Sequence, residues 1–222
     1  MNLKTTLIIG AFALLSSNYS ISQDLKHEIG IHGGGSLSAY LGYQASHTFD
    51  RANSGVFYGI GYQWNLKKHF SLRTEMNSER KGSIRQANGS PSSRTYTNLD
   101  YFTLPVFCQF HFGNRVQYFL QFGPYISGLS KAVERFPKTA GNNYQETIND
   151  VGYRYTQYEI GASLGTGIAT YVSPHLKLFL ECRYNQGITY LLHHSKHSNS
   201  SNMRNFSLTG LAGLHYCFGK KG

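Results

Sequence analysis

Two short charged segments are the first candidates for chemistry: Arg73-Thr74-Glu75 and Glu181-Cys182-Arg183. Each places an acid and a base two residues apart, and in an extended strand that spacing puts both on one face. Charged groups away from water are tolerated only when paired, so a face carrying both signs suits an internal ion-pair network or, less simply, an ion path. The loop residues His193, His194 and His197 have the types and spacing to hold a metal from a helical face, but no helix signal surrounds them and no carboxylate or Cys is near in sequence. Ser195 beside His194, with Glu159 or Asp150, supplies the residue types of a hydrolase without any motif. Gly33-Gly34-Gly35 lies within an extended stretch and is not followed by a helix, which excludes a phosphate loop and favours close strand packing or a bend. Cys108, Cys182 and Cys217 are odd in number and fall in separate segments, as free thiols behaving like small apolar residues would. The reading is therefore of no catalytic residue, no cofactor and no metal.

The elements that carry these residues alternate in period two almost throughout. Leu104, Val106, Cys108, Phe110 and Phe112 share one face, and Thr103, Pro105, Phe107, Gln109 and His111 the other. Leu176, Leu178, Leu180, Cys182 and Tyr184 oppose Lys177, Phe179, Glu181, Arg183 and Asn185; Phe70, Leu72, Thr74 and Met76 oppose Ser71, Arg73, Glu75, Asn77 and Glu79. Eight such segments are legible, each long enough for a tilted membrane strand, which needs about 9–11 residues. Short connections at 66–69, 113–115 and 173–175 alternate with long polar ones at 42–54, 83–98, 131–155 and 191–205. Short turns at one end and long loops at the other are the signature of an up-and-down outer-membrane barrel. The expected fold is an eight-stranded antiparallel up-and-down transmembrane β-barrel preceded by a signal peptide. Trp64, Tyr101, Tyr118, Tyr158, Tyr171, Tyr184, Tyr190 and Tyr216 lie near strand ends, where interfacial aromatic girdles would place them.

Strands three and seven of eight are roughly opposite, and an eight-stranded interior is only wide enough for side chains to fill. Arg73, Glu75, Glu181 and Arg183 are thus expected to form a structural network in the lumen, joined by Gln63, Gln109 and Gln121. Such a lumen conducts little.

Residues 1–22 read as a secretory leader and 23–222 as the barrel domain. Lys4 supplies the positive start, Leu7 to Leu15 the apolar core, and Ser20 and Ser22 the small residues before cleavage ahead of Gln23. The apolar run is too short for a spanning helix. Mean hydropathy is below zero, which suits a barrel whose every second residue faces a polar interior. With 17 Tyr, 14 Phe and 24 Gly, the composition suits paired strands. The formal net charge of +10 comes from residues scattered through loops and turns, not from one face interleaved with stacking aromatics, which argues against nucleic acid as partner.

The segments YFTLPVFCQFHFGNRVQYFLQFGPYISGL (101–129), YEIGASLGTGIATYVSPHLKLFLECRYNQGIT (158–189) and RNFSLTGLAGLHYCFG (204–219) resemble the PorT-like family of outer-membrane β-barrels of Bacteroidetes. The resemblance covers about half the chain well and the first half loosely. It implies an outer-membrane location and, for one branch, association with secretion. It implies no catalytic or ligand residue. The expected partners are outer-membrane lipid and proteins of the envelope or of a secretion complex, with the chain itself a monomer. Two other classes remain open on the residues alone: a periplasmic or secreted lipocalin-like ligand-binding barrel, and a lipid-modifying outer-membrane enzyme.

Overall fold

Period-two alternation becomes long antiparallel strands. A computed structural model describes residues 25–42, 50–86, 94–140, 143–192 and 203–220. The leader reading and the residues His193, His194, Ser195 and His197 lie outside them. Nine strands occur among the described residues: β1 (Leu25–Leu41), β2 (Asp50–Lys67), β3 (Phe70–Gln86), β4 (Arg94–Phe112), β5 (Val116–Ala140), β6 (Asn143–Asp150), β7 (Tyr158–Ser173), β8 (Leu176–Gly187) and β9 (Arg204–Lys220). Each barrel strand pairs with its neighbour in sequence, β5 pairs with β7, and β1 pairs with β9 from Leu25↔Lys220 to Leu41↔Arg204. That last ladder closes eight strands into a cylinder. β6 is not part of it. It pairs with the far end of β5 as a hairpin projecting from the loop end, and a single 3-10 turn at Gly152–Arg154 leads back to β7.

The projecting hairpin corrects the sequence reading of 131–155 as one long loop. Its residues carry the Asn, Thr and charged composition of a loop, yet β5 continues through them because β4 extends alongside it, Tyr96–Asp100 pairing with Lys131–Arg135. The loops at 42–54 and 83–98 are shortened in the same way, by β2 starting at Asp50, β3 running to Gln86 and β4 starting at Arg94.

Backbone closeness explains two glycines. Gly34, in the seam strand β1, runs close to β9, and a Cβ there would lie 2.0 Å from the Gly210 carbonyl oxygen. Gly113, in the short turn after β4, has φ +92°, a conformation that favours glycine.

The two faces of the wall differ in chemistry: the outer is apolar, and the inner holds the charged and amide side chains together with Phe57, Phe107, Phe119 and Phe179. Outside lie Ile31 (64% exposed), Ile60, Val106, Phe122, Leu164 and Leu180 (56% exposed). Inside lie Arg73, Glu75, Gln121, Glu181 and Arg183, all buried. An apolar belt around a closed sheet matches a hydrocarbon surround, where backbone groups must be satisfied within the sheet. Trp64, Tyr118, Tyr158, Tyr184, Tyr190 and Tyr216 are exposed on the outside. Tyr171 is half-buried, its ring 5.7 Å from the buried Lys177 ammonium, and Tyr101 is 1% exposed and faces inward. It shares the odd-numbered face of Thr103 and Phe107, so proximity to a strand end misled where alternation did not.

Leu180→Arg on the mid-belt is expected to destabilise the protein by about 2–4 kcal/mol in phospholipid vesicles, by chemical unfolding. Ser163→Ala on the inner face should cost much less. Equal losses at the two positions would contradict the assignment of faces.

Candidate functional site: the ion-paired interior

The inward side chains of β3 and β8 meet at the middle of the barrel. Arg183 donates from Nη1 to Glu75 Oε2 at 2.7 Å, from Nη2 to Glu75 Oε1 at 2.9 Å and from Nε to Glu181 Oε1 at 2.6 Å. Arg73 lies 2.6 Å from Glu75 Oε1 and 3.4 Å from Glu181 Oε2. The structure therefore brings Arg73, Glu75, Glu181 and Arg183 into one quartet with two charges of each sign. Two planar guanidinium groups suit this role, because each can hold two carboxylates at once. Phe107 and Phe57 lie against the Arg183 guanidinium, 4.7 and 5.5 Å from it to the ring centres, and Phe179 against that of Arg73 at 4.8 Å.

Of the three glutamines grouped with the quartet from sequence, Gln121 reaches it, donating to Glu181 Oε1 at 2.7 Å. Gln63 instead donates to Asn65 at 2.8 Å, nearer the turn end, and Gln109 has no hydrogen bond to any of the four. The register explains the difference for Gln63: it pairs with Arg73 across β2 and β3, but its side chain points towards the short turns and away from Glu181.

Two further charged groups were not assembled from sequence. Near the short turns, Glu28 on β1 binds Lys177 on β8, accepts from Asn65 Nδ2 at 2.9 Å and contacts His215 Nδ1 at 2.8 Å. Towards the loop end, Lys81 on β3 donates to Glu159 on β7 at 2.7 Å and lies 3.6 Å from Glu79. Tyr125 Oη and Asn205 Nδ2 also donate to Glu159, and Ser207 Oγ donates to Glu79 at 2.6 Å. Their signal was available: Glu28 precedes outward Ile29, and Lys81 shares the odd face of Arg73 and Glu75. What sequence lacked was which strands face each other.

Above these groups the barrel is roofed. Tyr40, Leu99, Tyr101, Ala132, Val151, Tyr155, Leu191 and Met203 form one buried apolar cluster. Backbone bonds hold the crossing segments down, from Val151 N to Ala132 O at 3.1 Å, Thr156 N to Leu191 O at 2.9 Å and Leu191 N to Met203 O at 2.8 Å.

Of the residue types of a hydrolase only the two alternative acids are among the described residues, Ser195 and His194 lying outside them. Glu159 is inside the lumen, bound to Lys81, whereas Asp150 is exposed on β6. No group of three or more His, Cys, Asp or Glu among the described residues is placed to hold a metal. Cys182 faces outward and Cys217 inward on neighbouring strands, and neither is bonded to another Cys.

A family model for the outer membrane protein beta-barrel domain matches residues 18–193, most of the chain. The chain belongs to that family. This outer-membrane barrel also resembles solved structures in fold. One is the outer membrane protein OprG from Pseudomonas aeruginosa, at 9% identity over 88% of this chain and 97% of that one, with a TM-score of 0.56. Another is the outer membrane protein AlkL in DMPC lipid bilayers, at 13% identity over 93% and 98%, with a TM-score of 0.51. Neisserial surface protein A aligns at 16% identity over 86% and 97%, with a TM-score of 0.49. No curated protein matches the chain in sequence. The protein is thus located in the outer membrane, with the short turns of the barrel periplasmic and its longer connections extracellular.

Arg183→Met would leave Glu75 and Glu181 with one arginine between them. Guanidinium unfolding in lipid vesicles should register a loss of about 3–5 kcal/mol. Replacing all four residues with Met and Leu should recover most of it, since no buried charge is then left unpaired. A quadruple variant as unstable as the single one would refute this account of the interior.

Proposed function

We propose that this chain is a monomeric, non-enzymatic outer-membrane barrel of the PorT-like kind found in Bacteroidetes, exported by a cleaved leader. Its outer wall contacts lipid, and its extracellular end docks proteins of the envelope or of a secretion complex. The observation that carries the reading is the interior: ion pairs occupy the lumen at three depths and an apolar roof lies over them, an arrangement suited to a scaffold rather than a conduit. A lipocalin-like binder would have the opposite faces, apolar within and polar without. A lipid-modifying enzyme would need an acid, a base and a nucleophile converging at the rim.

The β5–β6 hairpin supports a docking role. It stands beyond the barrel wall, and β6 is an end strand of the sheet, paired only with β5 among the described residues. An unpaired strand edge can accept an extended segment of another protein by backbone hydrogen bonding.

Crosslinked outer membranes from cells carrying the full chain should yield specific protein partners that disappear when residues 134–149 are replaced by a short Gly-Ser turn. Partners retained by that variant would remove the hairpin from the reading. In planar bilayers the intact protein should give no discrete openings, and a steady single-channel conductance would reject the scaffold role. Unchanged lipid A mass spectra with and without the gene are expected; a shifted profile would instead support the enzyme.

A further inference from the structure

The charged groups below the roof do not sum to zero. Among the described residues the lumen holds five buried carboxylates (Glu28, Glu75, Glu79, Glu159 and Glu181) against four buried bases (Arg73, Lys81, Lys177 and Arg183). The imbalance is local. The quartet is matched, and Glu28 is matched by Lys177. The extracellular group has one ammonium, Lys81, for two carboxylates, Glu79 and Glu159. The lumen histidines His32, His111 and His215 are engaged elsewhere, with Asn77, Ser71 and Glu28.

Lys81 is committed mainly to Glu159, at 2.7 Å against 3.6 Å to Glu79. Glu159 receives two further donors, Tyr125 and Asn205, whereas Glu79 receives only Ser207, on Oε1. Among the described residues Glu79 Oε2, 3.6 Å from Lys81 Nζ, and Asn205 Oδ1 accept no hydrogen bond, although both residues are 1% exposed. One negative charge in excess and two oxygen atoms without a hydrogen bond among the described residues therefore occupy the same end of the lumen. An uncompensated buried charge costs several kcal/mol. Oxygen-only donors favour a hard cation, and a single excess charge selects a monovalent one.

We propose that the extracellular end of the lumen binds one alkali cation, with Glu79 Oε2 and Asn205 Oδ1 among its ligands. The ion completes the charge balance that Lys81 leaves unfinished and braces β3 against β9 directly beneath the roof. It is a structural ion, independent of whatever the hairpin docks.

The test is thermal unfolding of the refolded full chain in detergent, at one pH and equal ionic strength, in sodium, potassium or N-methylglucamine chloride. An alkali ion should raise the midpoint by about 2–4 °C or more over N-methylglucamine, which is too large to enter. Glu79→Gln keeps the shape and an acceptor oxygen but removes the charge, so its midpoint should be the same in all three salts. If that variant does not refold, sodium NMR linewidths of the unaltered protein decide, with broadening that potassium reverses expected. The proposal is overturned by equal midpoints in all three salts, by a salt response that survives Glu79→Gln, or by a midpoint that follows pH and ignores the alkali ion, which would put a proton there instead.

Discussion

Hydrocarbon offers a backbone no hydrogen bonds, and the rest of this structure follows from that constraint. A sheet surrounded by acyl chains cannot leave an edge within them, so β1 must meet β9 and the strands must close. Closure divides every strand into two populations of side chains. The outer one is apolar because it lies against the acyl chains. The inner one is free to be polar, but it inherits a narrow space with no bulk water to solvate its charges. The same closure that satisfies the backbone thus obliges the interior to neutralise itself.

The interior meets that obligation with separate groups rather than one continuous chain of charges. Arg183 and Arg73 each contact both Glu75 and Glu181, while aromatic rings lie against their flat faces and limit access by water. Such buried ion pairs contribute little net stability compared with well-packed apolar residues, because the desolvation cost offsets most of the attraction. Their effect is on selectivity. A strand displaced by one residue would turn both of its charges, Arg73 with Glu75 or Glu181 with Arg183, into lipid and leave the facing pair in the lumen without its partners. Charge pairing across the lumen therefore penalises wrong registers more than it stabilises the right one.

At the extracellular end the logic changes. Beyond the membrane a strand edge can be hydrated, so β5 can run on past the barrel and fold back as β6 without closing on anything. Where the chain returns across the opening, apolar side chains from β1, β4 and the connections gather over the ionic interior. Among the described residues this apolar roof lies between the ionic lumen and the projecting hairpin.

Most of the fold was legible in the sequence, because facing depends only on period two and each strand reports its own. The apolar positions around Leu104, Leu178 and Ile160 placed the wall, the alternation of short and long connections placed its two ends, and Arg73, Glu75, Glu181 and Arg183 were placed on the inside by parity alone. Pairing between strands distant in sequence was less accessible. Arg183 and Glu75 are separated by 108 positions, and Lys177 and Glu28 by 149, so which inward charges meet depends on strand tilt and stagger, which alternation does not encode. The continuation of β5 into a region of loop-like composition was likewise decided by the neighbouring strand. One-dimensional pattern determined which way each side chain points; closing the cylinder in three dimensions decided which partners it finds, because depth in the barrel is a property of all eight strands together.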